Sequence, residues 1–205
     1  MGAAEQTLED YRFYDLSPAG FYVAARVGFA FPEFEHNAMP LAWVAKYAQG
    51  SFVLYDPVTR WLYENAGAVR WSEICDEDPR QVMSAAAEHG MAFGAAVCVR
   101  DLRDPSLRTF GAFARSDREF RDDEIAMLFE DLEALHLAQS PPDDLTEAEL
   151  EVLVMTKRGL RIKEMAYQLG ITDSAIKQRL RSGKAKLGSR TTAQAVTAAT
   201  RYGLI

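Results

Sequence analysis

The 205-residue sequence predicts an α+β protein, in which an N-terminal α/β/α sandwich with an antiparallel sheet precedes an all-α, four-helix domain of helix-turn-helix type. Helices alternate with short strands upstream, whereas residues 145–205 show helical periodicity alone. The net charge also changes, from −13 over residues 1–144 to +6 over residues 145–205. Paired prolines in QSPPDD, residues 139–144, interrupt the helical pattern. We therefore predict one domain over residues 1–138, a linker over 139–144 and a second domain over 145–205.

Composition excludes several classes of protein. A hydrophobic fraction of 48% is ordinary for a globular chain, and neither an apolar run of about 18 residues nor a basic signal sequence occurs, so we expect a cytoplasmic protein without membrane contact. Cys75 and Cys98 occur without a CxxC motif or clustered histidines, which predicts two buried free thiols and no metal site. No nucleophile triad or glycine-rich phosphate loop is evident, so we expect neither an enzyme nor a cofactor.

The first predicted elements are helical. Ser17 and Pro18 match the start of a helix, which would end at Gly28. Residues 29–37 are aromatic and irregular. A second helix is predicted over residues 41–49, with two aromatic side chains one turn apart on one face.

The middle of the first domain predicts short elements. Residues 51–55, SFVLY, are β-branched and aromatic enough for a strand, which a turn at Asp56-Pro57 would end. Residues 61–64 are predicted to return as a short strand. A short helix is expected over residues 69–75.

The end of the first domain gives the strongest patterns. A helix is predicted over residues 80–89, before Gly90. Strands over 94–99 and 108–114 are separated by the turn-forming DLRDPS, which predicts an antiparallel pair. A long acidic helix with one apolar stripe follows over residues 122–138.

The second domain begins with a capping box, in which Thr146 and Glu149 mark a helix start and Gly159 marks its end. Three further helices are predicted, over residues 162–169, 172–187 and 191–202. This order is that of a helix-turn-helix domain.

The helix over residues 172–187 is the predicted DNA reader. Its apolar positions form one narrow inward face, made by Ile176, Leu180, Gly183 and Leu187. Lys177 and Arg181 lie one turn apart on the opposite face, where both would reach base edges, and Gln178 would add a contact. The alternative is that this basic face is only solvated. Side chains better placed for phosphates are Thr172, Ser174, Lys163 and Lys184.

The last helix has more small apolar surface than one domain needs. One side carries Ala193, Val196 and Thr200, and another carries Ala195, Ala199 and Tyr202. One of these stripes is expected to contact a partner subunit, which predicts a homodimer that reads an inverted repeat with half-sites about one helical turn apart.

The second domain resembles the LuxR-type DNA-binding domain over all 61 of its residues. The resemblance implies a transcriptional regulator that binds double-stranded DNA. The matching residues are Glu149, Leu153, Gly159, Lys186-Leu187-Gly188, Gln194-Ala195-Val196 and Gly203-Leu204-Ile205.

The first domain resembles the autoinducer-binding domain of quorum-sensing LuxR regulators. The order and spacing of Trp43, Tyr47, Asp56-Pro57 and Trp71 carry this resemblance. It implies an acyl-homoserine-lactone ligand, with Trp43 donating to the ring carbonyl, Asp56 accepting from the amide N–H, and the aromatic side chains packing around the head group. The alternative for Asp56 is a turn residue only.

The sequence also departs from the family. Met39 stands where a tyrosine is usual, Ala114 where a serine or threonine is common, and Cys98 where a proline is usual. We include Met39 and Ala114 in the predicted ligand site. The first domain is also shorter than the usual sensor. These departures leave open a LuxR solo that needs no ligand, binds a non-lactone signal or pairs with another regulator.

Overall fold

The computed structural model describes residues 8–28, 31–74, 77–102 and 104–205, and it divides the chain into two compact units with a boundary between Gln139 and Ser140. In the first unit, an antiparallel sheet lies between two helical layers. The second unit contains only helices. The predicted α+β fold class is therefore confirmed.

The elements of the first unit alternate between sheet and helix. Its strands are β1 (Gly20–Val27), β2 (Phe34–Asn37), β3 (Gly67–Arg70), β4 (Phe93–Arg100) and β5 (Arg108–Arg115). Its α-helices are α1 (Phe13–Leu16), α2 (Leu41–Gln49), α3 (Pro57–Glu64), α4 (Val82–Glu88) and α5 (Asp122–Ala138). Short 3-10 turns occupy Leu8–Asp10, Phe52–Leu54 and Trp71–Glu73.

The sheet has the strand order β2-β1-β5-β4-β3, and every neighbouring pair is antiparallel. Side chains alternate between its faces, as a strand requires. On β4, Ala96 and Cys98 pack with α2, α3 and α4, whereas Ala95 and Val97 pack with α5. Both faces are thus apolar. Cys98 is a fully buried free thiol, as predicted, and burial raises its pKa; Cys75 lies outside the described residues.

The predicted helix from Pro18 to Gly28 is wrong, because this segment forms β1 in the interior of the sheet. Phe21 and Val23 are fully buried against α5, and Ala24 is buried on the other face. Tyr, Phe and Val favour a strand, and pairing on both edges outweighs the local signal of Ser17-Pro18.

Three further local predictions are wrong. Residues 51–55 contain a 3-10 turn instead of a strand. Val53 and Leu54 in this turn are exposed to solvent. Residues 61–64 form the second half of α3, a helix that begins at Pro57 after its N-cap residue, Asp56. Residues 69–75 contain the end of β3 and a 3-10 turn, and Cys75 is outside the described residues. Of the irregular segment 29–37, Phe34–Asn37 forms β2, and residues 29 and 30 are not described.

The strongly patterned elements are confirmed. Helices α2 and α5 have the predicted bounds, 41–49 and 122–138. The paired strands β4 and β5 contain the predicted segments 94–99 and 108–114. Helix α4 lies within the predicted range 80–89.

A buried ionic cluster fixes the last turns of α5 against the sheet. Arg26 has a left-handed φ of 52° and is 6% exposed; its Nη1 donates to Asp101 Oδ2 over 2.7 Å. His136 of α5 places Nε2 3.2 Å from the same carboxylate oxygen and Nδ1 2.8 Å from Thr109 Oγ1. Burial lowers the pKa of His136, although Asp101 acts in the opposite direction.

The second unit consists of α6 (Glu147–Lys157), α7 (Ile162–Leu169), α8 (Asp173–Lys186) and α9 (Thr192–Arg201), which match the four predicted helices. Residues from all four helices form one core. The fully buried members of that core are Val152, Leu153, Met165, Ile176, Ala195 and Ala199.

Glu149 has two structural roles at the start of α6. Its Oε2 accepts from Thr146 N over 2.8 Å, which completes the predicted capping box, and it accepts from Lys186 Nζ over 2.9 Å. Burial alone would raise the pKa of Glu149, but hydrogen bonds from Ser182, Thr146 and Lys186 outweigh that effect and lower the pKa to about 2. The carboxylate therefore links the start of α6 to the end of α8.

Candidate functional site

A cavity of about 330 Å³ lies in the first unit, between the sheet and the layer formed by α2, α3 and α4. This volume is at the small end of the range for ligand pockets. Strands β1 and β5 contribute Tyr22, Phe110 and Ala112 to the wall. The helical side is mostly aliphatic and aromatic, with polar atoms concentrated around Tyr47 and Asp56. The cavity thus has the chemistry of a site for a small, largely apolar molecule.

Five of the six predicted ligand-site residues line this cavity. They are Met39, Trp43, Tyr47, Asp56 and Trp71. Ala114 does not line it, although it is fully buried on the same face of β5. Because strand side chains repeat every second residue, Ala112 shares that face, and Ala112 is the wall residue. Ala114 lies two residues farther along β5, opposite Gly20 of β1 and Gly94 of β4.

The carboxylate of Asp56 is the centre of a hydrogen-bonded group within the cavity wall. Asp56 Oδ1 accepts from Val58 N over 2.9 Å and so caps α3. Its Oδ2 accepts from the hydroxyls of Tyr47 and Thr59, each over 2.8 Å. Burial and the nearby carboxylate raise the pKa of Tyr47, so its hydroxyl remains a donor at neutral pH. Asp56 is therefore both a helix cap and a cavity residue.

Trp71 forms another part of the wall, and its indole N–H has no partner among the described residues. The side chain is 8% exposed, and Nε1 is buried without a hydrogen bond to any of them. The ring lies directly on Gly94 of β4, where a methyl group in place of the glycine hydrogen would come within 2.1 Å of Cδ2. Glycine is therefore required at residue 94 for the indole to occupy this place.

Trp43 is fixed by other aromatic rings. Its ring centroid lies 5.4 Å from that of Tyr47, 5.9 Å from that of Phe52 and 5.7 Å from that of His89. These distances are typical of interacting aromatic pairs. Trp43 is 7% exposed, so it presents a rigid surface to the cavity.

Several cavity residues were not predicted. Thr59 follows Asp56 by three residues, and the capping of α3 was the signal that would have placed its hydroxyl beside the carboxylate. Tyr22 was missed because β1 was predicted to be a helix, and Phe110 was missed because the register of β5 was not predicted. Tyr63 and Val53, each about half exposed, complete the rim.

The predicted inward face of α8 is confirmed by the burial of Ile176, Leu180 and Gly183. The opposite face is open to solvent at Lys177, Gln178 and Arg181. Within the described part of the chain, neither of these two cations has a carboxylate partner. Two other basic residues of α8 are paired: Arg179 lies 3.7 Å from Glu151, and Lys186 lies 2.9 Å from Glu149.

The residues predicted to contact phosphates are spread over two helices: Thr172 and Ser174 at the start of α8, Lys184 in its last turn, and Lys163 in the first turn of α7. Thr172 caps α8, and its Oγ1 accepts from Ala175 N over 3.2 Å. Ser174 and Lys163 are exposed, whereas Lys184 is half-buried. Tyr167 of α7 is 89% exposed.

Metal-binding clusters and membrane-spanning helices are both missing from the described ranges. These residues contain no group of three or more His, Cys, Asp or Glu side chains that would hold a metal ion. No helix among them combines the length and hydropathy needed to cross a bilayer.

Comparison with known proteins gives a match to a family model and a match to a curated protein. Residues 32–140 match the family model described as the autoinducer binding domain. The transcriptional regulatory protein YdfI of Bacillus subtilis (strain 168) is 39% identical over 61 residues, which are 30% of this chain and 29% of YdfI. The chain thus matches less than a third of the length of this curated relative.

The fold is also similar to solved structures. Escherichia coli SdiA is 23% identical, with a TM-score of 0.46, over 91% of this chain and 83% of that chain. A structure of SdiA in complex with octanoyl-rac-glycerol is 21% identical, with a TM-score of 0.49, over 97% of this chain and 90% of that chain. CepR2 from Burkholderia cenocepacia is 19% identical, with a TM-score of 0.44, over 58% of this chain and 71% of that chain.

Proposed function

Because this chain belongs to the LuxR-type family of quorum-sensing regulators with an autoinducer-binding domain, we propose that it binds DNA in response to an acyl-homoserine-lactone-like molecule. In this proposal, residues 1–138 are the sensor, 139–144 the linker and 145–205 the DNA-binding domain. The ligand is the only small molecule required, and the protein is a cytoplasmic regulator with no catalytic activity.

The cavity is the observation that carries the proposal. Trp43, Tyr47, Asp56 and Trp71 line one cavity of about 330 Å³. The mostly apolar wall favours occupation by a small acylated molecule. Met39 and the nearby aliphatic side chains would hold its acyl chain.

The DNA-binding part of the proposal rests on the charge and exposure of α8. Lys177, Gln178 and Arg181 would contact base edges, and Arg181 is suited to a bidentate contact with guanine worth about 1–3 kcal/mol. Contacts to the phosphate backbone are assigned to Thr172, Ser174, Lys184 and Lys163.

The proposed assembly is a homodimer on an inverted repeat. Ala195 and Ala199 of α9 are buried in the core of their own unit, which leaves the side with Ala193 and Thr200 exposed for a partner subunit. Such a dimer would place its half-sites about one helical turn apart. Sedimentation of the full chain with an operator duplex would measure the stoichiometry.

Arg181→Ala tests the DNA-binding surface, and Arg179→Ala is its matched control. Both remove one arginine from α8, but Arg179 lies beside Glu151 and is not assigned to DNA. On an operator selected from a random library, Arg181→Ala is expected to weaken binding about tenfold or more and to relax the preference for one base pair. Equal affinities for the two variants would contradict the assignment of Arg181.

Ligand binding is tested by growing cells that express the protein with and without a panel of acyl-homoserine lactones. Native mass spectrometry of the purified protein is expected to show one retained lactone. Asp56→Asn then tests whether the amide N–H contacts the carboxylate. Absence of any retained compound, together with unchanged thermal stability, would contradict lactone sensing.

A second candidate function is favoured by two particular residues. Asp56 has three donors from its own chain, and Met39 supplies no hydroxyl to a ligand carbonyl. Both fit a LuxR solo that folds without a lactone, answers to another signal or pairs with a second regulator. Soluble expression at full stability without a ligand favours this candidate, and co-purification with another regulator would identify heterodimerisation.

A further inference from the structure

We propose that the buried cluster at the end of α5 is a proton-sensitive switch, in which a neutral His136 holds the last turn of α5 on the sheet and a protonated His136 releases it. The other members of the cluster are Arg26 of β1, Thr109 of β5 and Asp101, which directly follows β4. Neither the cavity nor a ligand takes part in this switch. The turn that it controls ends at Ala138, next to the boundary between the two compact units.

The hydrogen bonds of the imidazole select one neutral tautomer. His136 Nε2 lies 3.2 Å from Asp101 Oδ2, and a carboxylate offers acceptors only, so Nε2 carries the hydrogen. His136 Nδ1 lies 2.8 Å from Thr109 Oγ1, which itself accepts from Arg26 N over 3.0 Å. The hydroxyl hydrogen of Thr109 is therefore directed at Nδ1, which accepts it in the neutral ring.

Protonation of the ring disrupts this arrangement at Thr109. A protonated imidazole donates from both nitrogens, so Nδ1 would donate to Thr109 Oγ1 and would no longer accept from it. Thr109 is fully buried, and its hydroxyl has no acceptor other than His136 among the described residues. The hydroxyl hydrogen would then be buried without a partner, which is unfavourable.

The charged groups that face the ring come from several elements. Arg26 of β1 donates from Nη1 to the same oxygen of Asp101 over 2.7 Å, so a protonated ring would be a second cation at one carboxylate. Arg26 Nε also lies 3.3 Å from Glu33 Oε1, just before β2. Burial has the largest effect and lowers the pKa of His136, although Asp101 and Glu133 of α5 act in the opposite direction. The folded cluster therefore favours the neutral ring.

The backbone of β1 is held in a strained conformation by the same contacts. Arg26 has a left-handed φ of 52°, where the pairing of β1 with β5 shifts between Ala24 and Val27. A residue other than glycine keeps such a conformation only where its surroundings hold it there. Here the bonds from Arg26 to Thr109 and Asp101 do so, and both acceptors also contact His136. Protonation at His136 therefore acts on a segment that is already strained.

The last turn of α5 has few other attachments to the sheet. Of its final four residues, Leu135 and His136 are buried, whereas Leu137 and Ala138 are exposed. One leucine and the imidazole thus hold this turn. Loss of the imidazole contacts would leave Leu135 as its buried side chain.

Hydrogen exchange of the full chain at pH 7.5 and pH 5.5 tests the switch, after correction for the intrinsic effect of pH on amide exchange. In the wild type, we expect the protection of amides 135–138 to fall severalfold at pH 5.5. The limit is about tenfold, because pH 5.5 is one unit below 6.5, the ordinary pKa of the group. Protection around Leu128, in the middle of α5, is expected to stay unchanged. Unchanged protection in the last turn, or an equal decrease along the whole helix, would overturn the switch.

His136→Gln tests the imidazole, with His36→Gln as the matched control. Glutamine keeps an N–H and a carbonyl oxygen but binds no proton in this pH range, so His136→Gln should lose the pH dependence of protection. His36 is a half-buried histidine of β2, and its replacement should leave that dependence in place. An equal pH dependence in His136→Gln and the wild type would overturn the role of His136.

Nitrogen NMR of the histidine rings in the wild type decides the question if His136→Gln does not fold. We expect the His136 ring to be neutral at pH 7.5, to carry its hydrogen on Nε2, and to bind a proton only below pH 6.5. A ring that is protonated at pH 7.5, or that carries its hydrogen on Nδ1, would overturn the proposed switch.

Discussion

The hydroxyl of Tyr47 gives the sharpest prediction about the first unit. Tyr47→Phe removes one of three donors to the buried Asp56 and leaves the aromatic packing of α2 in place. A hydrogen bond to a charged group contributes about 1.5–3 kcal/mol. Because Val58 N and Thr59 continue to donate, we expect a loss near the lower limit, about 1.5 kcal/mol of unfolding free energy.

Urea unfolding followed by tryptophan fluorescence measures this loss, and thermal unfolding should show a decrease of about 3–6 °C in Tm. Tyr55→Phe is the control. Tyr55 is half-buried in the same core, and its hydroxyl has no hydrogen bond to any described residue. If Tyr47→Phe costs no more than Tyr55→Phe, then Tyr47 does not hold the carboxylate, and the reasoning that Asp56 is satisfied within the chain is refuted.

Four other perturbations test the packing and the charges. Gly94→Ala should displace Trp71 and cost about 1–3 kcal/mol of unfolding free energy; an unchanged urea midpoint and tryptophan emission would refute the contact. Gly183→Ala should raise the stability of the second unit by up to about 1 kcal/mol, since the new methyl group would meet nothing closer than 3.6 Å; a lower Tm would contradict this. The pKa of Glu149 falls from 4.5 to about 2 on folding, so stability present above pH 4.5 should be lost as the pH falls toward 2, and Glu149→Gln should reduce that dependence in acid unfolding followed by circular dichroism. Burial lowers the pKa of His136 below 6.5, so the unfolded chain binds the proton more readily than the folded chain. The urea midpoint of the wild type should therefore fall as the pH drops below 6.5, and that of His136→Gln should fall less. Equal dependence of the two urea midpoints on pH would refute the burial of a neutral ring.

Local sequence signals predicted the second unit well because its elements are held together by near neighbours. The capping box at Thr146 and Glu149 indicates where α6 begins. The spacing of the apolar residues of α8 indicates which face of that helix is buried. The first unit was harder. Ser17-Pro18 is a local signal for the start of a helix. Strand β1 is instead stabilised by pairing with β2 and β5, and the residues next to Ser17-Pro18 do not indicate that pairing.

The candidate site shows the same division. The resemblance to the autoinducer-binding domain predicted Trp43, Tyr47, Asp56 and Trp71 as site residues, and all four line the cavity. It did not identify Thr59 as a partner of Asp56, since that contact depends on the backbone path into α3. Ala112 and Phe110 depend on the register of β5, which short-range patterns do not determine.

Gly20 has a consequence for how such a receptor changes its specificity. Its φ of +118° is accessible mainly to glycine, and a methyl group there would lie 2.7 Å from Ala38 O and 2.9 Å from Met39 Cα. The backbone at Met39 therefore lies in close contact with β1 and cannot move further toward that strand. On this side of the cavity, evolution or engineering can alter the accepted acyl chain through the side chain at residue 39 but not through the path of the main chain. A library at Met39 would explore new ligands while the backbone stays in place, whereas we expect selection to tolerate few substitutions at Gly20.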